Sequence, residues 1–137
     1  MAIEGGCYCG ELRYSAPEHI VFKGQCLCRE CQYISGGGPN IVVALPEQGF
    51  HYTKGSPALY KRSDLDNPVA RHFCANCGTH VLTASPGAPG ILIVKVGTLD
   101  RPELYDKPDH IIWTAEKQAF HHIPEGVPTF EGFPPHA

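Results

Sequence analysis

The chain has 137 residues, 42% of them hydrophobic and 18% charged, with a formal net charge of −3. That length suffices for one domain that buries its own core, and no apolar run is long enough to span a bilayer. No block of Lys and Arg offsets the acidity, which argues against a nucleic-acid or membrane-surface partner and for small molecules.

The seven cysteines point the same way. An odd count excludes complete pairing within the chain, and residues 1–7 lack the pattern of a secretory leader. A reducing, cytoplasmic setting is expected, with the thiols acting as metal ligands. With seven thiolates and two Zn2+ counted, the charge falls to roughly −6.

Taken in order, residues 11–15 alternate Leu12 and Tyr14 with polar neighbours and predict a half-buried strand. Residues 19–25 predict a second strand that delivers Cys26. Residues 29–35 suit about two helical turns, stopped by Gly36-Gly37-Gly38-Pro39. The β-branched run 40–45 reads as a core strand. Segments 50–53 and 58–62 flank Lys54-Gly55-Ser56-Pro57, a hairpin-like turn. Residues 69–73 and 80–84 predict strands on either side of Cys74 and Cys77, and 91–96 (ILIVKV) predicts the strand at the sheet centre. Segment 97–108 reads as irregular, with Asp100 bonding its own loop. The proline-rich tail, about 123–137, is expected to hold no regular structure. Many short strands and frequent Gly/Pro turns predict an all-β class, one domain over 1–137 of sheets pinned by zinc.

The cysteines divide as four plus three. Cys7-Tyr8-Cys9-Gly10 and Cys74-Ala75-Asn76-Cys77-Gly78 both end in Cys-Gly. Glycine there lets the chain turn through positive φ and aim backbone N–H groups at the sulfurs. Two such knuckles make a closed four-thiolate site from Cys7, Cys9, Cys74 and Cys77, the expected structural zinc. The alternative for Cys74 and Cys77, a redox-active pair, wants a free thiolate at a helix start. Cys26-Leu27-Cys28-Arg29-Glu30-Cys31 has no such glycine and no eighth cysteine to complete it. Its fourth position falls to His, Asp, Glu, water or substrate, so Cys26, Cys28 and Cys31 are the expected reactive zinc site. A closed, purely structural triplet is the competing reading.

Among other candidates, Arg29, Lys61 and Arg62 suit the carboxylates of a peptide-like substrate. Gly36 and its neighbours suit either an anion cradle or a turn over the site. His72 and His80 read as packed or surface histidines, and His121, His122 and His136 read as solvated.

The order Gly6-Cys7-x-Cys9-Gly10-x-x-Arg13-Tyr14, the C-x-C-x-x-C leading to Ser35-Gly36, Phe73-Cys74-x-x-Cys77-Gly78 and Gly97-Thr98-Leu99-Asp100 resembles the glutathione-dependent formaldehyde-activating enzymes. The centromere protein V proteins belong to the same wider group. The resemblance implies a fold of twisted sheets akin to methionine sulfoxide reductase B, a structural zinc on Cys7, Cys9, Cys74 and Cys77, and a catalytic zinc on Cys26, Cys28 and Cys31. Pro108-x-His110-Ile111 resembles a family segment near the active site, which makes His110 a candidate substrate contact. Leu27 and Gln32 depart from the His and Arg often found there.

Two zincs per chain and a carbon–sulfur lyase acting on a thiol adduct of a small aldehyde, with glutathione as the candidate thiol, are the leading expectation. The rival is a non-catalytic zinc-binding module that docks a protein. Methionine sulfoxide reduction follows only from fold analogy, and it needs a free nucleophilic cysteine.

Overall fold

A computed structural model describes residues 1–135 of the chain, so His136 lies outside the described residues. The strands are β1 (Ala2–Gly6), β2 (Arg13–Pro17), β3 (Phe22–Cys26), β4 (Asn40–Pro46), β5 (His51–Lys54), β6 (Ala58–Tyr60), β7 (Ala70–Phe73), β8 (His80–Ala84), β9 (Ile91–Lys95) and β10 (His110–Ile112), with helix α1 (Arg29–Ile34) after β3. Short 3-10 turns cover Val96–Thr98, Pro102–Tyr105 and Thr114–Glu116. The chain is mostly β, as expected. No described helix is long and apolar enough to cross a membrane.

The strands form two sheets, one ordered β1-β2-β5 and the other β10-β3-β4-β9-β8-β7-β6. The apolar β9 is the central strand of the larger sheet, where both neighbours supply hydrogen bonds and Leu92, Val94 and Lys95 are buried. Strand β1 has no counterpart in the sequence reading; its alternating Ile3 and Gly5 are too short a signal. The hairpin across Gly55 does not form. Instead β5 pairs with β2 and β6 pairs with β7, so the turn passes the chain from one sheet to the other. Aromatic packing draws β5 away: Phe50 stacks on Tyr14 at 5.2 Å and meets Tyr52 edge-on at 5.3 Å. Beyond position 123 the chain docks along β10, with Ile111 N donating to Pro128 O at 3.0 Å and Phe130 N to Ile111 O at 3.0 Å.

The faces of the larger sheet have different uses. Val43, Val94 and Leu82 are register neighbours on one face and are packed in a core with Ile3, Leu12, Tyr14 and Ala16. Each large apolar side chain buried there contributes about 1.5–3 kcal/mol. On the opposite face Cys26 pairs with Asn40, Val42 with Lys95, Ile93 with Thr83, Thr83 with Arg71, and Arg71 with Tyr60. Residues two apart on a strand share a face. Cys26, Asn40, Lys95, Arg71 and Tyr60 therefore lie on one side of the sheet, the side from which Asn40 reaches Cys31 of α1.

Asp100 does not bond its own loop. It receives both arms of the Arg13 guanidinium from β2, one at 2.9 Å. Thr98 meets the Tyr14 hydroxyl at 2.8 Å, and Asp100 N donates to Glu4 O at 2.9 Å. The Gly-Thr-Leu-Asp segment thus fastens the smaller sheet to the end of β9, at a place too crowded for any side chain on Gly5.

Candidate metal centres

Cys7 and Cys9 lie between β1 and β2, and Cys74 and Cys77 between β7 and β8. The two sheets therefore each present one knuckle. Their four sulfurs lie within 4.8 Å of one another, with Cys7–Cys9 at 3.6 Å and Cys9–Cys74 at 3.8 Å. A tetrahedral zinc with bonds of about 2.3 Å sets its sulfurs roughly 3.8 Å apart, so the donor set fits that ion. Gly10 and Gly78 have φ of 82° and 80°, the left-handed turn expected after each second thiol. Leu12 N donates to Cys7 Sγ at 3.2 Å, Asn76 Nδ2 to Cys9 Sγ at 3.3 Å and Cys77 N to Cys74 Sγ at 3.5 Å. The Thr79 hydroxyl, 3.1 Å from Cys77 Sγ, is the chief reason that thiol's pKa falls to about 5. Such donors stabilise thiolates and orient them for a metal.

The other group gathers Cys26 at the end of β3 with Cys28 and Cys31 at the start of α1. Cys28 caps the helix, its sulfur accepting from Cys31 N at 3.4 Å. Asn40 Nδ2 donates to Cys31 Sγ at 3.4 Å, and its Oδ1 accepts from the buried Lys95 ammonium. Hydrogen bonds from Cys26 and Cys28, then Asn40 and the Lys95 charge, bring the Cys31 thiol down to about 3. Cys26 is pushed up by its bonds to the other two sulfurs and by burial. Burial lowers Lys95 to about 8, against the opposing pull of Cys31. Three sulfurs that share their negative charge beside a buried ammonium suit a soft divalent cation. Among the described residues, no His, Asp or Glu joins the three.

Beside α1 opens a cleft of about 480 Å3, walled on the helix by Glu30, Tyr33 and Ile34 and on the sheet by Tyr60, Arg62, Arg71, Phe73 and His80. Burial lowers the His80 pKa, with the positive charges of Lys95 and Arg71 adding to it.

The sequence model for the glutathione-dependent formaldehyde-activating enzyme matches residues 2–116, a span that holds both thiol groups and the cleft. The chain belongs to that family. No curated protein sequence matches it. A crystal structure of a Rhodobacter sphaeroides protein from a structural-genomics programme shares the fold, with a TM-score of 0.58 and 18% identity over 71% of this chain and 87% of that one.

In this member of the formaldehyde-activating family, the other sequence candidates are placed as follows. Arg29 turns along its own helix, bonding Gln32 Oε1 and lying 4.9 Å over the Tyr33 ring. Arg62 reaches the cleft but is paired with Asp64 and Glu30, and Lys61 is exposed. The amides of Gly37 and Gly38 close α1 on the carbonyls of Gln32 and Ser35, which leaves Gly36, at φ 69°, as a turn residue. His110 shares the face of Cys26 but packs between Phe22 and Phe130, at 5.1 and 6.4 Å. His121 is not solvated: it is buried, with Nε2 2.7 Å from Gly37 O. Leu27 is buried too, and Gln32 donates to the carbonyls of Leu27 and Glu116. Their departure from the usual His and Arg thus braces α1 against the segment after β10. The sequence reading missed Asn40, Lys95 and Arg71. A lysine inside the apolar run ILIVKV was the available signal for the second of these.

Proposed function

We propose that the protein is a zinc-dependent carbon–sulfur lyase-type enzyme acting on a thiol adduct of a small aldehyde, with glutathione the candidate thiol. Family membership supports glutathione and formaldehyde as the substrate class. The observation that carries the reading is the set of three thiols with no fourth protein ligand among the described residues, placed at the base of the helix that walls the cleft. Cys26, Cys28 and Cys31 would hold a reactive zinc, and Cys7, Cys9, Cys74 and Cys77 a structural one. A zinc with an open position supplies Lewis acidity and stabilises a substrate thiolate. Asn40 fixes the Cys31 sulfur in place, and Lys95 balances the negative charge gathered there. The aromatic side chains of the cleft, Tyr33, Tyr60 and Phe73, offer apolar surface to the organic part of an adduct. Seven free thiols suit a reducing, cytoplasmic location.

Cobalt substitution tests the reading, because thiolate ligation is visible in the cobalt spectrum. Added 2-mercaptoethanol is expected to convert a three-sulfur signature to a four-sulfur one. If the triplet is metallated and no thiol alters its spectrum, the non-catalytic zinc module takes the place of the lyase.

A further inference from the structure

The cleft contains a cation that the thiol chemistry leaves unexplained. Arg71 on β7 is only 9% exposed, yet among the described residues its guanidinium has no ion pair and no side-chain hydrogen bond. No fully buried side-chain nitrogen lacks a partner, so the unpaired nitrogens of Arg71 are those that open on the cleft it lines. Burying a guanidinium without an anion is costly. The buried Lys95 ammonium is close enough to feel the Arg71 charge, which adds repulsion between the two cations. The carboxylate in the cleft wall, Glu30, is held by Arg62 at 3.2 Å. Tyr33 and Tyr60 stand exposed on opposite walls.

We propose that Arg71 is the carboxylate-binding residue of the thiol substrate, gripping it with both arms of the guanidinium while the sulfur lies at Cys26, Cys28 and Cys31. The span sets the size of the ligand. Arg71 and Asn40 lie on one sheet face, separated by β8 and β9. Register carries Arg71 through Thr83 and Ile93 to Ala44, four residues along β4 from Asn40. Three strand spacings of about 4.8 Å across and four residues of about 3.3 Å along put the two backbones roughly 20 Å apart. Side chains close part of that gap from each end, and what remains exceeds the reach of a simple mercapto acid. A peptide-sized thiol with a carboxylate remote from its sulfur, as in the glutathione of the proposed function, suits that span. A cleft of about 480 Å3 lies within the range for ligands of that size.

This inference rests on the thiol reading of the triplet, and the experiment separates the two. Glutathione and glutathione diethyl ester, in which both carboxylates are blocked, are titrated calorimetrically into the metal-loaded full chain, and 2-mercaptoethanol is followed by the cobalt spectrum. Glutathione is expected to bind the wild type about tenfold more tightly than the diester. Arg71→Gln should bring the two within about twofold. Arg71→Lys should reduce the preference, because an ammonium lacks the planar fork. The 2-mercaptoethanol response should be the same in the wild type and Arg71→Gln. An undiminished preference in Arg71→Gln, or none in the wild type, overturns the role of Arg71. Should Arg71→Gln not fold, a full preference in Arg71→Lys overturns it instead. A carboxylate preference that depends on Arg71, without any response to 2-mercaptoethanol, upholds the subsite and removes the thiol reading.

Discussion

Asn40 and Cys31 are joined by an N–H···S hydrogen bond of 3.4 Å, and the other end of the same amide accepts from Lys95. One side chain therefore connects a sulfur of the candidate reactive site to a buried ammonium at the centre of the sheet. Asn40→Ala removes the donor to sulfur and deprives Lys95 of its acceptor. The metal affinity of the triplet should fall about 10–100-fold, the usual scale for partners that orient a ligand. Lys95→Met should act in the same direction. Competition against a graded chelator measures the effect, and the Cys7, Cys9, Cys74, Cys77 site serves as the internal control.

The two thiol groups should differ in what they do for the fold. The knuckle quartet joins segments more than 60 residues apart (Cys9 and Cys74 differ by 65) and brings one sheet to the other, so a metal held there would contribute directly to folding. The triplet lies within six residues of chain. Cys77→Ser is expected to abolish soluble expression, whereas Cys28→Ser leaves a folded protein. A moderate chelator should remove the triplet's metal first, and near-equal melting of the two variants would argue against the division.

Gly5 faces a wall. A Cβ there would lie 2.2 Å from Thr98 O and 2.4 Å from the Tyr14 hydroxyl. Gly97 has nothing within 4 Å of the same atom. Gly5→Ala should therefore cost about 1–3 kcal/mol or more in denaturant unfolding, from overpacking against backbone. Gly97→Ala should change stability by less than about 1 kcal/mol. Equal effects at the two positions would contradict the close docking of the smaller sheet on the end of β9.

Arg13 and Asp100 give a pH signature. The Arg13 hydrogen bonds hold the Asp100 carboxyl below its ordinary value. A depressed carboxylate stabilises the fold above its unfolded pKa, near 3.9, and loses that contribution as pH falls through the lower folded value. The side chains are 33% and 47% exposed, so screening limits the coupling to about 0.2–1 kcal/mol. A double-mutant cycle of Arg13→Gln and Asp100→Asn should give a constant coupling from pH 8 to about pH 5 and none well below pH 4. Added salt should reduce it.

The sequence by itself determined the thiol grammar and the strand content. Cys-Gly spacing is local, and Gly10 and Gly78 adopt the expected turn because only glycine takes positive φ without strain. The apolar run of β9 reads as a central strand because Ile91, Leu92, Ile93 and Val94 show no polar alternation. Tertiary structure decided everything that depends on pairing across distance. Whether Gly55 turns a hairpin or a crossover depends on the Tyr14, Phe50 and Tyr52 packing, not on the turn itself. Asp100 finds its partner 87 residues away. Gln32, Asn40, Lys95 and Arg71 look like ordinary polar residues in the one-dimensional chain. Gln32 acquires its role when α1 docks against the segment after β10, and the other three when strand register places them on one face beneath α1, where a buried polar group must find a partner or await a ligand.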